Sequence, residues 1–248
     1  MPLMQISADD IRRIERLHVR AWPAFETADI HGWLWRYSGG ASQRANSVST
    51  VDFSGDDPAT ALDEAEGRYR ARNALVRFHT YDLSLPSGII DLLQARGYRG
   101  GETTLTMVKP VAASSPPVDV EIDTGPTPEW QEVYLGAITE SRRSVNAKIL
   151  GSVPQPCAFF SCRRAGRVIS SGLCVADGDF AVIECMATRA DARRQGGADA
   201  VLRGLEAWAA SRGVKSLALQ VVADNAAAVP LYTGLGFTPV ATNRFWQK

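Results

Sequence analysis

Apolar and polar positions recur with clear periods through the second half of the chain. VDVEID, from Val118, alternates as a strand does. Thr127-Pro128-Glu129 then supplies a cap residue, a proline at the first helical position and an acid in the first turn. Trp130, Val133, Tyr134, Ala137 and Ile138 follow at helical spacing. CAFFSCRR, VISSGLCVAD and FAVIECMAT, joined by turns at Ala165-Gly166 and Gly178-Asp179, predict an antiparallel meander. An amphipathic helix comes next, with Ala198, Val201, Leu202, Leu205, Trp208 and Ala209 on one face and Ser211-Arg212-Gly213 at its end. LALQVV is a further strand, Asn225 opens a short helix, and Gly236 precedes a strand-like tail. Antiparallel strands followed by a strand–helix–strand crossover predict an α+β class, a mixed and mostly antiparallel sheet flanked by helices.

Displacing the first half by 139 residues produces an ordered echo of this pattern. LLQARGY from Leu92 falls on LYTGLGF from Leu231, VRFHTYD falls near LALQVV, and ATALDEAEGRYRAR falls on ADAVLRGLEAWAAS. Two copies of one unit explain the match, and so does a shared order of elements. PVAASSPP over residues 110–117 is small, proline-rich and aperiodic, which reads either as a linker or as a surface loop. The linker reading divides the chain into units 1–110 and 118–248, joined by 111–117.

Composition narrows the function classes. Across 248 residues, 45% apolar and 22% charged, 27 Lys plus Arg balance 27 Asp plus Glu, so no overall field favours nucleic acid or anionic lipid. MPLMQISADDIRR has no cationic segment followed by an apolar run, and no stretch approaches the ~20 apolar residues that span a bilayer. A cytoplasmic protein without nucleic-acid or membrane partners is expected. Cys157, Cys162, Cys174 and Cys185 have irregular spacings, and His18, His31 and His79 lie in the other half. Buried reduced thiols and no metal site are therefore expected.

Arg193-Arg194-Gln195-Gly196-Gly197-Ala198 lies between a predicted strand and the amphipathic helix. A helix start carries unpaired amides and the positive end of the dipole. Gly196, Gly197 and Ala198 leave those amides open to a bulky anion, and the arginines add phosphate donors. The segment thus predicts a pyrophosphate cradle, against the alternative of a glycine turn with solvated arginines. It is neither a P-loop nor the GxGxxG fingerprint.

TRADARRQGGADAVLRGLEAWA and LALQVVADNAAAVPLYTGLGF together resemble the GCN5-related N-acetyltransferase (GNAT) superfamily. Arg193, Gly196 and Ala198 match its Arg/Gln-x-x-Gly-x-Gly/Ala motif. Asn225, Ala228, Leu231, Tyr232, Gly236 and Phe237 match its Asn-x-x-Ala-x-x-Leu-Tyr motif with the following Gly-Phe. Ala190 stands where the family often has proline. The likeness is specific over about residues 180–240, and the whole chain resembles bacterial two-domain members with one degenerate unit. In the first half the cradle positions hold Ser54-Gly55-Asp56-Asp57-Pro58-Ala59, whose carboxylates would repel a pyrophosphate, and Leu93 stands in place of Tyr232. That half is expected to lack a coenzyme site.

The resemblance implies transfer of an acetyl group from acetyl-CoA to a primary amine of a small molecule or peptide, by direct attack in a ternary complex. Its counterpart is a non-catalytic acyl-CoA sensor. Cofactor contacts are implied for Met186, Ala187 and Thr188 on the strand, for Arg193, Arg194, Gln195, Gly196, Gly197 and Ala198 in the cradle, and for Asn225, Ala228 and Tyr232. Asn225 is equally explained as a helix cap. Tyr232 is expected to protonate the departing thiolate. Glu184, the one acid on its strand, is either the general base, directly or through water, or an edge residue in solvent. Trp33, Trp35 and Tyr37 alternate on a strand and could line an acceptor pocket, with a hydrophobic sheet face or domain interface as the alternative. Arg44-Ala45-Asn46-Ser47 reads only as a turn.

Overall fold

The structure, a computed structural model, describes residues 6–248. The opening MPLMQ, part of the expectation of no leader, lies outside them. In chain order the elements are α1 (Ala8–Ala21), β1 (Glu26–Ile30), β2 (Trp33–Tyr37), β3 (Val48–Ser49), α2 (Pro58–Arg70), β4 (Arg77–Tyr81), α3 (Ile89–Ala95) and β5 (Arg99–Pro110). After the 111–117 coil come β6 (Val120–Asp123), α4 (Pro128–Gly136), α5 (Glu140–Leu150), β7 (Cys157–Arg164), β8 (Arg167–Asp177) and β9 (Phe180–Thr188). The chain closes with α6 (Gly197–Ser211), β10 (Ser216–Val222), α7 (Ala228–Gly234) and β11 (Thr238–Gln247). The predicted meander is present as β7–β8–β9, with antiparallel registers throughout. Helix α5 was not foreseen: Glu140–Leu150 carries polar residues over its first turns, and only Asn146, Ile149 and Leu150 are buried. Its pattern is too weak for periodicity to detect.

The eleven strands among the described residues form one sheet in the order β1-β2-β3-β4-β11-β5-β10-β9-β8-β7-β6. Among the described residues, only β3–β4 and β9–β10 run parallel. The centre of this order is an exchange. Strand β11, from the second half, lies between β4 and β5 of the first, and β5 lies between β11 and β10. Each half therefore takes the other's last strand into its ladder.

The repeat is plain at this level. Helices α2 and α6 begin at Pro58 and Gly197, β4 and β10 at Arg77 and Ser216, α3 and α7 at Ile89 and Ala228, and β5 and β11 at Arg99 and Thr238. Each pair is 139 residues apart, the displacement of the sequence echo. Four consecutive elements in register are hard to attribute to a shared order alone. The two halves differ at the start of the repeated helix. The Asp57 carboxylate accepts hydrogen bonds from the amides of Ala59 and Thr60, so the first half fills its own cradle with an internal anion.

Strand alternation divides the core between two faces. On one face Val201, Leu205, Trp208 and Ala209 of α6, with Tyr232 of α7, pack on Phe160, Cys174, Ile183, Leu217 and Leu219. On the other, Ile14 and Leu17 of α1, Trp130 and Tyr134 of α4 and Ile149 of α5 pack on Phe159, Leu173, Val175 and Val182. Helix α1 belongs to the first half, yet it lies on β8 and β9 of the second. Among the described residues no helix is long and apolar enough to cross a membrane.

Because β11 and β5 each complete the other half's ladder, the halves are expected to unfold as one cooperative unit. Urea titration followed by tryptophan fluorescence and by far-ultraviolet circular dichroism should give one coincident transition. Two separated transitions would show that the exchange does not couple the halves.

Candidate active site

The site originates where two parallel strands part. β9 and β10 pair only from Phe180/Ser216 to Ile183/Leu219. Immediately afterwards β9 bulges against β8: Glu184 faces Leu173, Ala187 faces Ser171, and Cys185 takes a left-handed φ of 56°. A bulge bends its strand, and beyond Ile183 the β10-facing edge of β9 is left without a ladder partner. A pocket of about 330 Å³ fills the resulting gap. Its walls include Ile183, Glu184, Cys185 and Met186 on one side and Leu219, Gln220, Val221 and Val222 on the other. Tyr232 and Ala228 line it from the α7 face, while Tyr134, Ile138 and Arg142 line it from the α4–α5 face. Trp22, Ser42 and Arg44 come from the first half of the chain.

The predicted cradle follows β9 directly. Gly196 caps α6 at φ 76° and is exposed, and Arg194 is also left-handed at φ 63°. Among the described residues, no protein acceptor is paired with the amides of Gln195, Gly196, Gly197 or Ala198. Arg193 and Arg194 are exposed and form no ion pair among the described residues. This is a helix start with open donors and free cations. The two glycines play different parts. A Cβ on Gly196 would meet nothing closer than 3.7 Å, so its contribution is the left-handed backbone. A Cβ on Gly197 would sit 2.4 Å from Ser170 Oγ, so Gly197 must be small for α6 to lie on β8. Arg164, on the β7–β8 hairpin, donates to the Gln195 carbonyl and pairs with Asp119, bracing the loop from beneath. No sequence motif marked it.

Glu184 is neither free nor in solvent. Its side chain is 6% exposed, and it is bonded by Arg44 Nη1 at 2.5 Å and Nη2 at 2.7 Å, with His18 Nδ1 at 3.0 Å from Oε1. Burial alone would raise its pKa, but the charge and hydrogen bonds of Arg44 and the contact with His18 prevail and hold it near 2. As the carboxylate is ionised, His18 Nδ1 is the donor in that pair. Arg44 in turn stacks 5.7 Å from the Trp22 ring and donates to the His18 carbonyl. Sequence reading treated Arg44 as part of a turn and set the histidines aside as belonging to the other half. The only available signal was a lone arginine after the aromatic strand, and only the packing of α1 on β9 gives it a meaning.

Tyr232 lies 8% exposed at the pocket, edge-on to Phe237, and its hydroxyl has no protein partner among the described residues. Burial, with a contribution from the Glu184 charge, pushes its pKa up to about 12. Asn225 acts as a cap, its Oδ1 accepting from the amides of Ala227 and Ala228, while its side chain also reaches the pocket wall. Met186 lines the gap, and Ala187 and Thr188 continue the strand toward the cradle, with Thr188 Oγ1 2.9 Å from Ser170 Oγ. Trp33 and Trp35 are buried in a separate core with Tyr69, Phe78 and Tyr98, so the acceptor-pocket alternative for that strand is overturned and the sheet-face reading is the observed one. The four cysteines are free thiols, and the described residues contain no group of three or more potential metal ligands.

Comparison with known proteins agrees with this fold. The family model described as probable histone acetyltransferase Rv0428c C-terminal matches residues 8–246. The chain is 29% identical over 250 residues to the uncharacterised N-acetyltransferase YobR of Bacillus subtilis (strain 168), covering 97% of this chain and 99% of that one. Among solved structures, it superposes on a GCN5-related N-acetyltransferase from Kribbella flavida with a TM-score of 0.71 at 16% identity, over 99% of this chain and 96% of that one. A tandem GNAT protein from the clavulanic acid biosynthesis pathway gives a TM-score of 0.65 at 13% identity, over 97% and 95%.

Removing Arg44 alone leaves a buried carboxylate with His18 Nδ1 as its one remaining donor among the described residues. Arg44→Met should cost about 3 kcal/mol in urea denaturation, and Arg44→Met combined with Glu184→Gln should recover most of it. A single variant as stable as the parent would mean that the pair is not electrostatically strong.

Proposed function

We propose, on the premise that this chain belongs to the Rv0428c C-terminal acetyltransferase family and through it to the GNAT superfamily, that it transfers an acetyl group from acetyl-CoA to a primary amine in a ternary complex. The observation that carries this reading is the continuity of three features: open amides and free arginines at the start of α6, an unpaired β9 edge leading away from them, and an unpartnered phenol at the end of that path. A diphosphate suits the first feature, an extended amide-bearing arm the second and a thioester the third. Residues 1–110 form the copy without a coenzyme site, because Asp57 already occupies its helix start.

The two faces of the sheet divide the labour. Coenzyme approaches from the α6–α7 face, where the cradle and Tyr232 lie. The acceptor approaches from the α4–α5 face, whose wall is completed by Trp22, Ser42 and Arg44. The amine, as free base, attacks the thioester carbonyl carbon. A C–N bond forms, the C–S bond breaks, the nitrogen gives up its proton to water, and Tyr232 protonates the departing sulfur before being reprotonated by solvent. A phenol with a pKa near 12 stays protonated at neutral pH and can donate to a thiolate.

Glu184 has a different task in this scheme from that of a base. A carboxylate held near pKa 2 has little tendency to take a proton from an ammonium group at neutral pH. Its bonds to Arg44 and His18 instead hold the bulged segment of β9 against the first half, and so keep the gap open. The one carboxylate on the pocket wall is already bound to Arg44, so nothing there stabilises an incoming ammonium over the free amine, and water can serve as the proton acceptor.

Tyr232→Phe should lower single-turnover acetyl transfer by about 10²-fold while coenzyme affinity stays within about threefold. Unchanged transfer would remove Tyr232 as the acid, and a parent protein that binds coenzyme without turnover would favour the sensor reading. Gly196→Val, which forces a β-branched residue to a φ of 76°, should abolish coenzyme binding by calorimetry with the circular dichroism spectrum retained. Neither Glu184 nor Tyr232 titrates between about pH 4 and 10 on these values, so the acidic limb of kcat/KM should move with the pKa of the acceptor amine. A limb fixed at one pH for amines of different basicity would reveal an enzymic base.

A further inference from the structure

The ionisable groups of the pocket wall can be accounted for one at a time. Glu184 and Arg44 bind each other. Tyr134 and Cys185 share a side-chain hydrogen bond, and Tyr134 also accepts from Asn146 Nδ2 at 2.9 Å. Of the uncharged polar groups, Gln220 Nε2 donates to the buried Glu15 at 3.0 Å, Asn225 Oδ1 caps α7, and Ser42 Oγ accepts from Trp22 Nε1 at 3.2 Å. Two ionisable groups remain that have neither a hydrogen-bond nor an ion-pair partner among the described residues: the Tyr232 hydroxyl and the Arg142 guanidinium. Tyr232 faces the departing thiol in the reading above. Arg142 has no part in it.

Arg142 projects from α5, on the face through which the acceptor enters, and is exposed. It lines the same pocket as Tyr134 and as Cys185 of the β9 bulge. The wall therefore carries two arginines and one carboxylate, and that carboxylate is already bound to one of the arginines. A polyamine, an aminoglycoside or a lysine-rich peptide would bring further positive charge to a surface with no free carboxylate to receive it. An acceptor that bears an anion of its own would complete the pairing. A guanidinium offers a planar fork that matches a carboxylate in two-point contact. A cavity of about 330 Å³ suits a small molecule more than a folded chain.

We propose that the acceptor is a small amine carrying a carboxylate, an amino acid or a close analogue, and that Arg142 is the residue that selects it by binding that carboxylate while the amine points toward the β9–β10 gap. This rests on the acyltransferase reading and names the substrate class of the same site. Arg142 is a specificity residue here: it touches the acceptor remote from the reacting atoms, so its removal acts on KM more than on kcat.

The test uses the full chain with acetyl-CoA and matched pairs of amines, each an amino acid and its carboxamide, with spermidine and a lysine-rich peptide as polycationic arms. Release of free thiol and the mass of the product are recorded. The acids should exceed their amides in kcat/KM by about tenfold, the scale of one charge-assisted two-point contact at a partly exposed site. Arg142→Ala should raise KM for the acids by a similar factor, leave kcat within about threefold and erase the acid–amide difference, with Arg142→Lys restoring part of it. A merely structural role for Arg142 would lower activity toward acid and amide alike, and that result would overturn the inference. Equal or better use of amides, spermidine or the peptide by the parent protein would also overturn it, while leaving the acyltransferase reading intact. Failure of calorimetry to detect coenzyme binding, with no transfer to any amine, would remove that reading, and this inference with it.

Discussion

A carboxylate in the middle of a sheet strand needs compensation, and at Glu184 that compensation comes from the other half of the chain. Arg44 and His18 are 140 and 166 residues away in sequence, yet they provide every hydrogen bond that the Glu184 side chain makes among the described residues. An ion of this kind loses several kcal/mol of hydration on burial, so the pair can persist only if α1 and the 44–46 turn are held against β9. The strand exchange holds them there. Because β11 lies between β4 and β5, and β5 between β11 and β10, the halves cannot slide past each other without breaking ladders. Position in the sheet and charge at the site are thus two aspects of one constraint.

The same constraint gives the first half a use even if, as proposed, it holds no coenzyme. Asp57 closes the helix start in the first half as a phosphate would, so this copy folds with its cap satisfied and without a ligand. Freed from that task, it supplies α1, Trp22, Ser42 and Arg44 as a wall for its sister. On this account the acceptor would be recognised largely by residues outside the repeated motif, and the coenzyme by residues inside it.

Local chemistry was readable in the sequence; chemistry assembled across the repeat was not. Thr127-Pro128-Glu129 announces α4, and FAVIECMAT is β9 from end to end, because caps and apolar runs are properties of short segments. The open helix start at Gly196 was visible since its donors belong to consecutive residues. A further reason for Gly197 escaped: close packing on Ser170 depends on a strand some 27 residues earlier, which no local pattern records. The meanings of Arg44, His18 and Arg164 depend wholly on long-range placement. A lone arginine after Gly39-Gly40 looks like a turn until a helix from the chain's beginning brings it to Glu184. Helix α5, with its polar early turns, escaped for the opposite reason, since its burial is too small to shape a pattern.

The account turns on the ionisation of one side chain. Carbon-13 NMR of selectively labelled glutamate, with Glu184→Gln used to assign the carboxyl resonance, measures it directly. A Glu184 signal that stays in its ionised position from pH 9 down to pH 4, and moves only as the pH approaches about 2, is the predicted result. Titration of that signal between about pH 6 and 8, in the range of a working general base, would contradict the proposed division between a carboxylate that positions the strand and water that carries the proton.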